Sequence, residues 1–117
     1  MNYIKNNIFY FWKIGKEVYE KRNIYDDVVS RYSKYLSYYF GTSRLFTREN
    51  IRYMERLYLN FPMYYNKMNN INWEQYKLLF NIRDKDERLF YYYLSLFFNS
   101  DLDETREFIN NNYYVRI

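Results

Sequence analysis

The sequence of 117 residues contains no cysteine, histidine or alanine, and only two glycines and one proline. Without cysteine, the chain can form no disulfide framework, thiol nucleophile or iron–sulfur site. Without histidine, it has no imidazole general base and no Ser-His-Asp triad. The scarcity of glycine excludes a glycine-rich phosphate loop and disfavours an all-β fold with many tight turns. Any catalysis would depend on carboxylates, lysine, tyrosine or serine, and no cofactor or metal is expected.

Aromatic side chains, by contrast, make up 26% of the chain. Tyr, Phe, Asn, Ile and Lys have A/T-rich codons and Ala has G/C-rich ones, so mutational bias explains this composition. Tyrosine is amphipathic, and the mean hydropathy of −0.72 therefore understates what the chain can bury. Three clusters, Tyr38-Tyr39, Tyr64-Tyr65 and Tyr91-Tyr92-Tyr93, could stack on bases, but we expect most of them in or beside the core.

The net charge of +4 is unevenly distributed along the chain. Residues 1–83 carry a net charge of +7, whereas residues 84–107 carry −4. The basic segment favours an anionic partner, although the two segments could also neutralise each other within the fold. The longest apolar stretch, from Leu89 to Phe98, is far shorter than the ~20 residues that cross a bilayer. Because no targeting signal is visible either, we expect a soluble, cytoplasmic protein with no membrane partner.

Apolar residues recur at helical spacing and predict an all-α fold, a compact bundle of about six helices in one domain over residues 1–117. Gly15 lies within the first helix and indicates a close helix crossing. The apolar stripe of that helix consists of Ile4, Ile8, Phe11, Trp12, Val18 and Tyr19. The second helix is predicted from about Asp26 to Phe40, with Gly41 after its end. Its predicted inner side consists of Val28, Tyr32, Tyr35, Leu36, Tyr39 and Phe40.

Four later helices are predicted from apolar spacing and from the residues at their ends. Thr47 is the predicted N-cap of the third helix, and Pro62 ends it; its apolar stripe consists of Ile51, Met54, Tyr58 and Phe61. The fourth helix begins near Asn72, with apolar residues at Trp73, Tyr76, Leu79 and Phe80. The fifth begins at Asp84 or Lys85 and is apolar on nearly every side from Leu89 to Phe98, which is typical of a central, buried helix. Ser100 and Asp101 precede the sixth, with Glu104 three residues after Asp101.

The third helix carries the strongest functional signal, a row of arginines. Arg48, Arg52 and Arg56 are spaced at i, i+4 and i+8, so they drift by only about 80° around the helix and lie apart from its apolar stripe. Arg44, just upstream, could extend the row. Such a helix suits a phosphate backbone or a nucleic-acid groove. Alternatively, the row is a solvated face that Glu49 and Glu55 partly neutralise.

Two acidic clusters could be mistaken for metal ligands: Asp84, Asp86 and Glu87, and then Asp101, Asp103 and Glu104. Neither has the spacing of a calcium-binding loop. Both coincide with predicted helix N-termini, where carboxylates stabilise the helix dipole. We therefore interpret both clusters as capping residues.

Several segments together resemble the N-terminal helical domain of the YhcG-type family, over roughly residues 9–110. The segments are Phe11-Trp12 with Ile14-Gly15-Lys16, Tyr35 to Gly41, Phe46 to Ile51, Met54, Tyr58 to Pro62, Asn72-Trp73, Tyr76, Leu78-Leu79, Ile82, Asp84, Glu87-Arg88 and Phe90-Tyr91. Family members usually join this domain to a C-terminal nuclease domain of the PD-(D/E)XK type. The resemblance implies a helical domain that binds nucleic acid or serves in assembly.

The family pattern Ser/Thr-Arg-x-Asn-Leu-x-x-Met matches the third helix at Thr47, Arg48, Asn50 and Met54 and includes Arg52. By this resemblance, that helix is the recognition element, and the second and third helices form a helix-turn-helix-like pair. The connection from Gly41 to Phe46 is longer than a usual turn of three or four residues. The Asp…Glu-x-Lys pattern of the nuclease is absent, so cleavage is not carried over. Leu102 also replaces the aromatic residue that the family tends to have before its last helix.

Three functional hypotheses follow. The first is a non-catalytic domain that binds DNA through Arg44, Thr47, Arg48, Asn50, Arg52 and Arg56. The second is an interaction module that forms a homo-oligomer or docks on a separate nuclease or another partner through exposed aromatic surface. The third is a small enzyme, which we disfavour because no cluster of acid–base groups is visible. No small-molecule substrate is expected.

Overall fold

Short polar side chains begin most helices of this chain. In the computed structural model, which describes residues 7–24, 27–41 and 44–116, five of them accept a hydrogen bond from the backbone N–H three residues later. They are Asn7, Thr47, Asn72, Asp84 and Asp101. Each satisfies a backbone donor that the first turn of a helix leaves unpaired. The capping residues predicted for the third, fifth and sixth helices, and the predicted start of the fourth near Asn72, are thereby confirmed.

Seven α-helices and one 3₁₀ helix follow one another in the described part of the chain, which contains no strand. They are α1 (Ile8–Lys21), α2 (Val28–Phe40), α3 (Arg48–Asn60), the 3₁₀ helix (Asn66–Asn70), α4 (Trp73–Phe80), α5 (Lys85–Phe98), α6 (Leu102–Asn110) and α7 (Tyr113–Arg116). The predicted all-α fold is confirmed. Ile4, predicted in the first apolar stripe, and Asp26, the predicted start of the second helix, lie outside the described residues.

The helices group into two compact units, one up to Tyr64 and one from Tyr65 onward. The first unit contains α1, α2 and α3, and the second contains the remaining helices. The assignment of residues 1–117 to one domain stays a prediction.

In the first unit, α1 crosses α3 at Gly15. A Cβ atom at this position would lie 1.9 Å from the carbonyl oxygen of Met54, so the two helices meet backbone to backbone. This confirms the close crossing that the sequence predicts. The Trp12 indole donates a hydrogen bond of 2.7 Å to the carbonyl oxygen of Phe61, which joins α1 to the end of α3. The core around the crossing consists of Ile8, Phe11, Val18, Val28, Val29, Leu36, Phe46, Ile51, Met54 and Leu57.

In the second unit, a buried polar network joins three helices. The Gln75 side chain of α4 donates hydrogen bonds to the carbonyl oxygen of Ser100, at 2.8 Å, and to Oγ1 of Thr105 in α6, at 3.0 Å. The Ser95 hydroxyl of α5 lies 2.9 Å from the same Thr105 oxygen. Because buried polar groups are expensive when unpaired, this network fixes how the helices of the unit pack.

Three predictions about burial are wrong. Tyr19, placed in the apolar stripe of the first helix, is exposed. Tyr35 and Tyr39 were predicted on the inner side of α2, but both are exposed; α2 contributes only Val28, Val29 and Leu36 to the buried core. The fifth helix is not buried on nearly every side, since Phe97 is 81% exposed and Tyr93 and Phe98 are also exposed. Each helix packs in its own unit over only part of its circumference, and the remaining aromatic side chains face solvent.

Candidate nucleic-acid interface

The start of α3 is held by its own polar side chains. Thr47 Oγ1 accepts a hydrogen bond of 3.1 Å from the backbone N–H of Asn50. The Asn50 side chain in turn donates one of 2.9 Å to the carbonyl oxygen of Arg44. Thr47 and Asn50 are both predicted binding residues. Their hydrogen bonds fix the conformation of the segment from Arg44 to the start of α3.

The arginine row is exposed along its whole length. Arg44, Arg48, Arg52 and Arg56 all face solvent, whereas the opposite side of α3 buries Ile51, Met54 and Leu57. Leu59 is also exposed and falls on the same side of the helix as the row. The structure thus brings Arg48, Arg52 and Arg56 onto one accessible side of α3, and Arg44 is exposed in the segment just before that helix.

The contacts of the row leave its charge available. Arg48 Nη2 lies 3.7 Å from Asp27 Oδ1, and both side chains are more than half exposed, so this ion pair contributes little. The Arg56 guanidinium lies 5.3 Å from the centre of the Tyr53 ring, which orients it without neutralising it. Glu49, in the first turn of α3, remains an exposed carboxylate close to the row.

Glu55 does not neutralise the arginine row as the alternative reading of the sequence required. It is buried, and its two carboxylate oxygens accept hydrogen bonds from Nε and Nη2 of Arg22, just after α1. The hydrogen bond to Glu55 raises the pKa of Arg22 above its usual value. The sequence analysis missed this pair because its residues are far apart in the chain. One signal was available, since Glu55 follows the buried Ile51 by four residues and so lies beside the inner face.

The exposed side of α2 combines cationic and aromatic side chains. This surface, the α2 face, consists of Arg31, Lys34, Tyr35, Tyr38 and Tyr39. One signal for this surface is present in the sequence: these cations and tyrosines recur at i and i+4, and α2 contains no acidic residue.

A groove of about 390 Å³ lies between α1 and the α2 face, lined by Glu17, Arg31, Tyr32 and Tyr35. The Tyr32 hydroxyl donates to Glu17 Oε2 and accepts from Lys21 Nζ, each at 3.0 Å. Burial is the main cause that raises the pKa of Tyr32. The groove is therefore bounded by one carboxylate that is already hydrogen-bonded and by side chains that are cationic or aromatic.

The acidic clusters serve as caps. Asp84 and Asp101 accept the backbone hydrogen bonds that begin α5 and α6, and Glu104 completes a capping box with Asp101. Among the described residues, no group of three or more acidic side chains is arranged to hold a metal ion. The capping interpretation of both clusters is confirmed.

The positive charge is concentrated in the unit that carries the arginine row. Residues up to Tyr64 include eleven basic and six acidic side chains, a net charge of +5, whereas the residues from Tyr65 onward sum to −1. An anionic partner is therefore attracted to the first unit.

No helix in the described segments is both long and apolar enough to cross a membrane. Comparison with curated proteins and with solved structures gives no significant match. The DUF1016 N-terminal domain family matches residues 4–116, which include all seven helices and the arginine row. The resemblance to the YhcG-type N-terminal domain is thereby confirmed, and the chain belongs to the DUF1016 N-terminal domain family.

Proposed function

We propose that this domain is a non-catalytic, cytoplasmic nucleic-acid-binding module that contacts DNA through α3. Arg44, Arg48, Arg52 and Arg56 contact phosphates, while Thr47 and Asn50 hold the start of the helix toward the nucleic acid. In this proposal α2 and α3 act as a helix-turn-helix-like pair, with α3 as the recognition helix.

One observation carries the proposal: three exposed guanidinium groups, those of Arg48, Arg52 and Arg56, lie along a helix whose opposite side is anchored in a core, and Arg44 is exposed just before it. Two features support it. The buried Glu55 is paired with Arg22 and does not offset the row. The first unit has a net charge of +5, which draws a polyanion to the unit that carries the row.

The proposal is tested by titrating a fluorescently labelled duplex with the protein at several salt concentrations. Each neutralised phosphate contributes roughly −0.9 to the slope of log K against log salt, so three or four contacts give about −3 to −4. The affinity then falls by roughly 100-fold between about 50 and 200 mM salt. Changing Arg48, Arg52 and Arg56 together to alanine is expected to abolish measurable duplex binding while the helical circular dichroism stays unchanged.

The second unit offers a charge-matched control. Lys67, Arg83 and Lys85 are exposed, and changing them together to alanine removes the same charge. Equal losses of binding in the two triple variants would mean that the loss depends on net charge alone. That result would contradict a specific role for α3. A wild-type protein that binds neither duplex nor single strand at low salt would rule out the proposed function.

A second candidate function, protein–protein interaction, is favoured by the apolar surface of α5. Tyr93, Phe97 and Phe98 are exposed there in one helix, and Val115 of α7, in the same unit, is also exposed. Exposed aromatic surface of this kind is typical of contacts with another protein, either a second copy of the chain or a separate partner such as a nuclease.

A further inference from the structure

The α2 face presents three tyrosine rings to solvent on a regular helix. Tyr35 is 61% exposed, Tyr38 is 88% exposed and Tyr39 is 67% exposed. The rings of Tyr35 and Tyr39 lie against each other, with centroids 5.6 Å apart and an angle of 32° between their planes. The core of the first unit uses Val28, Val29 and Leu36 from α2 instead. Packing of the fold therefore does not account for these rings.

Cations share this side of α2 with the rings. At 100° per residue, Arg31, Lys34 and the three tyrosines lie within about 140° of one another around the helix. Residues Val28–Phe40 contain no carboxylate, and Glu17, which lines the groove, accepts a hydrogen bond from Tyr32. The α2 face thus combines positive charge with flat aromatic surfaces, the combination that binds single-stranded nucleic acid.

Whether the α2 face suits paired or unpaired nucleic acid depends on which base surfaces its tyrosine rings can contact. In a duplex the faces of the bases are stacked on one another, so an exposed tyrosine cannot stack on them. In an unpaired stretch every base offers a free face, and stacking tolerates any sequence.

The α2 face also adjoins the arginine row. Asp27 accepts a backbone hydrogen bond of 3.1 Å from Arg31, in the first turn of α2. The carboxylate of the same Asp27 lies 3.7 Å from Arg48, in the first turn of α3. The beginnings of the two helices therefore meet at Asp27, and Arg31, the first cation of the α2 face, lies one turn further along α2.

We infer that the α2 face binds unpaired bases by stacking on Tyr35, Tyr38 and Tyr39, with Arg31 and Lys34 contacting the adjoining phosphates. This inference rests on the proposed function and narrows it, because it assigns the domain to nucleic acid that contains a single-stranded stretch.

The test compares four labelled probes of equal length: oligo(dT), oligo(rU), an abasic strand with the same phosphates, and a blunt duplex. Wild-type protein is expected to bind oligo(dT) or oligo(rU) more tightly than the abasic strand, and the tighter of the two identifies the strand as DNA or RNA. Each change of Tyr35, Tyr38 or Tyr39 to leucine is expected to weaken that binding roughly five-fold or more. Binding of the abasic strand and of the duplex stays unchanged in these variants.

Two controls separate stacking from loss of fold. The corresponding Tyr→Phe variants keep the rings and are expected to bind like the wild type. Tyr93→Leu changes a similarly exposed tyrosine on α5 and is expected to have no effect on binding.

Failure of this inference is distinguishable from failure of the proposed function. If the wild type binds all four probes equally, or if the leucine variants bind oligo(dT) and oligo(rU) like the wild type, stacking on α2 is excluded while phosphate binding by α3 stands. If the wild type binds none of the probes, both proposals are excluded.

Discussion

Gly15 is the residue on which the packing of the first unit depends most directly. Only a hydrogen atom separates its backbone from the carbonyl of Met54, and that carbonyl belongs to the main chain of α3, which cannot rotate away as a side chain would. Glycine inside a helix normally lowers stability relative to alanine. Here it permits a helix contact that no other residue allows.

We therefore expect Gly15→Ala to destabilise the protein, opposite to the usual effect of this substitution in a helix. The added methyl group must push α1 and α3 apart, and overpacking of this kind costs about 1–3 kcal/mol in the free energy of unfolding. Urea unfolding followed by circular dichroism measures the change. Glu20→Ala, at an exposed position of the same helix, is the control and is expected to stay within about 0.5 kcal/mol. A gain of about 1 kcal/mol for Gly15→Ala would show that the two backbones are not in contact.

At the scale of helices, the pair of Arg22 and Glu55 is a second link between the α1 and α3 segments. The carboxylate is buried and the guanidinium is about half exposed. The interaction is therefore stronger than a surface ion pair but weaker than one that is fully desolvated.

A double-mutant cycle with Arg22→Met and Glu55→Gln measures the strength of this link. We expect a coupling energy of roughly 1–2 kcal/mol, because each single variant leaves one hydrogen-bonding group without its partner. The same cycle applied to Arg106 and Asp103, an exposed pair within α6, is expected to give at most about 0.5 kcal/mol. Equal coupling energies in the two cycles would contradict the expectation that the buried Glu55 pairs more strongly than an exposed carboxylate.

The sequence predicted those parts of the fold that depend on neighbouring residues. The caps at Thr47, Asp84 and Asp101 need only a side chain and a backbone N–H three residues away, and Gly41 needs only its own left-handed conformation. The arginine row was predictable for the same reason, because its spacing within a single helix determines it.

The sequence could not predict which side of α2 and α5 faces solvent. Helical spacing locates a stripe of large side chains, but a tyrosine in that stripe is compatible with either a buried or an exposed side of the helix. The position of the neighbouring helices decides between the two. For this reason Tyr35 and Tyr39 were assigned to the core, although they lie on the α2 face. The pairing of Glu55 with Arg22 depends in the same way on how α1 and α3 cross.

At the scale of the whole molecule, the arginine row and the apolar surface of α5 belong to different units. The positive charge and the arginine row belong to the first unit, whereas the exposed phenylalanines of α5 belong to the second. The two candidate functions therefore depend on separate residues and can be tested independently.

If the α5 surface binds a second copy of the chain, the molar mass measured by light scattering rises with protein concentration and changes little with salt. Phe97→Lys is expected to keep the protein monomeric, because it places a charge in the middle of the apolar contact. Met63→Lys, at a comparably exposed apolar residue of the first unit, is the control and is expected to associate like the wild type. A wild-type mass that does not vary with concentration would exclude self-association and restrict this surface to a different partner.

The crossing at Gly15 also determines how α3 would meet nucleic acid. A helix whose backbone touches that of its neighbour cannot slide or rotate against it without separating the two main chains. The arginine row is therefore carried on a preformed platform rather than on an element that is ordered by its ligand. On binding, the loss of conformational entropy is confined mainly to the arginine side chains, and little affinity is lost to ordering the backbone.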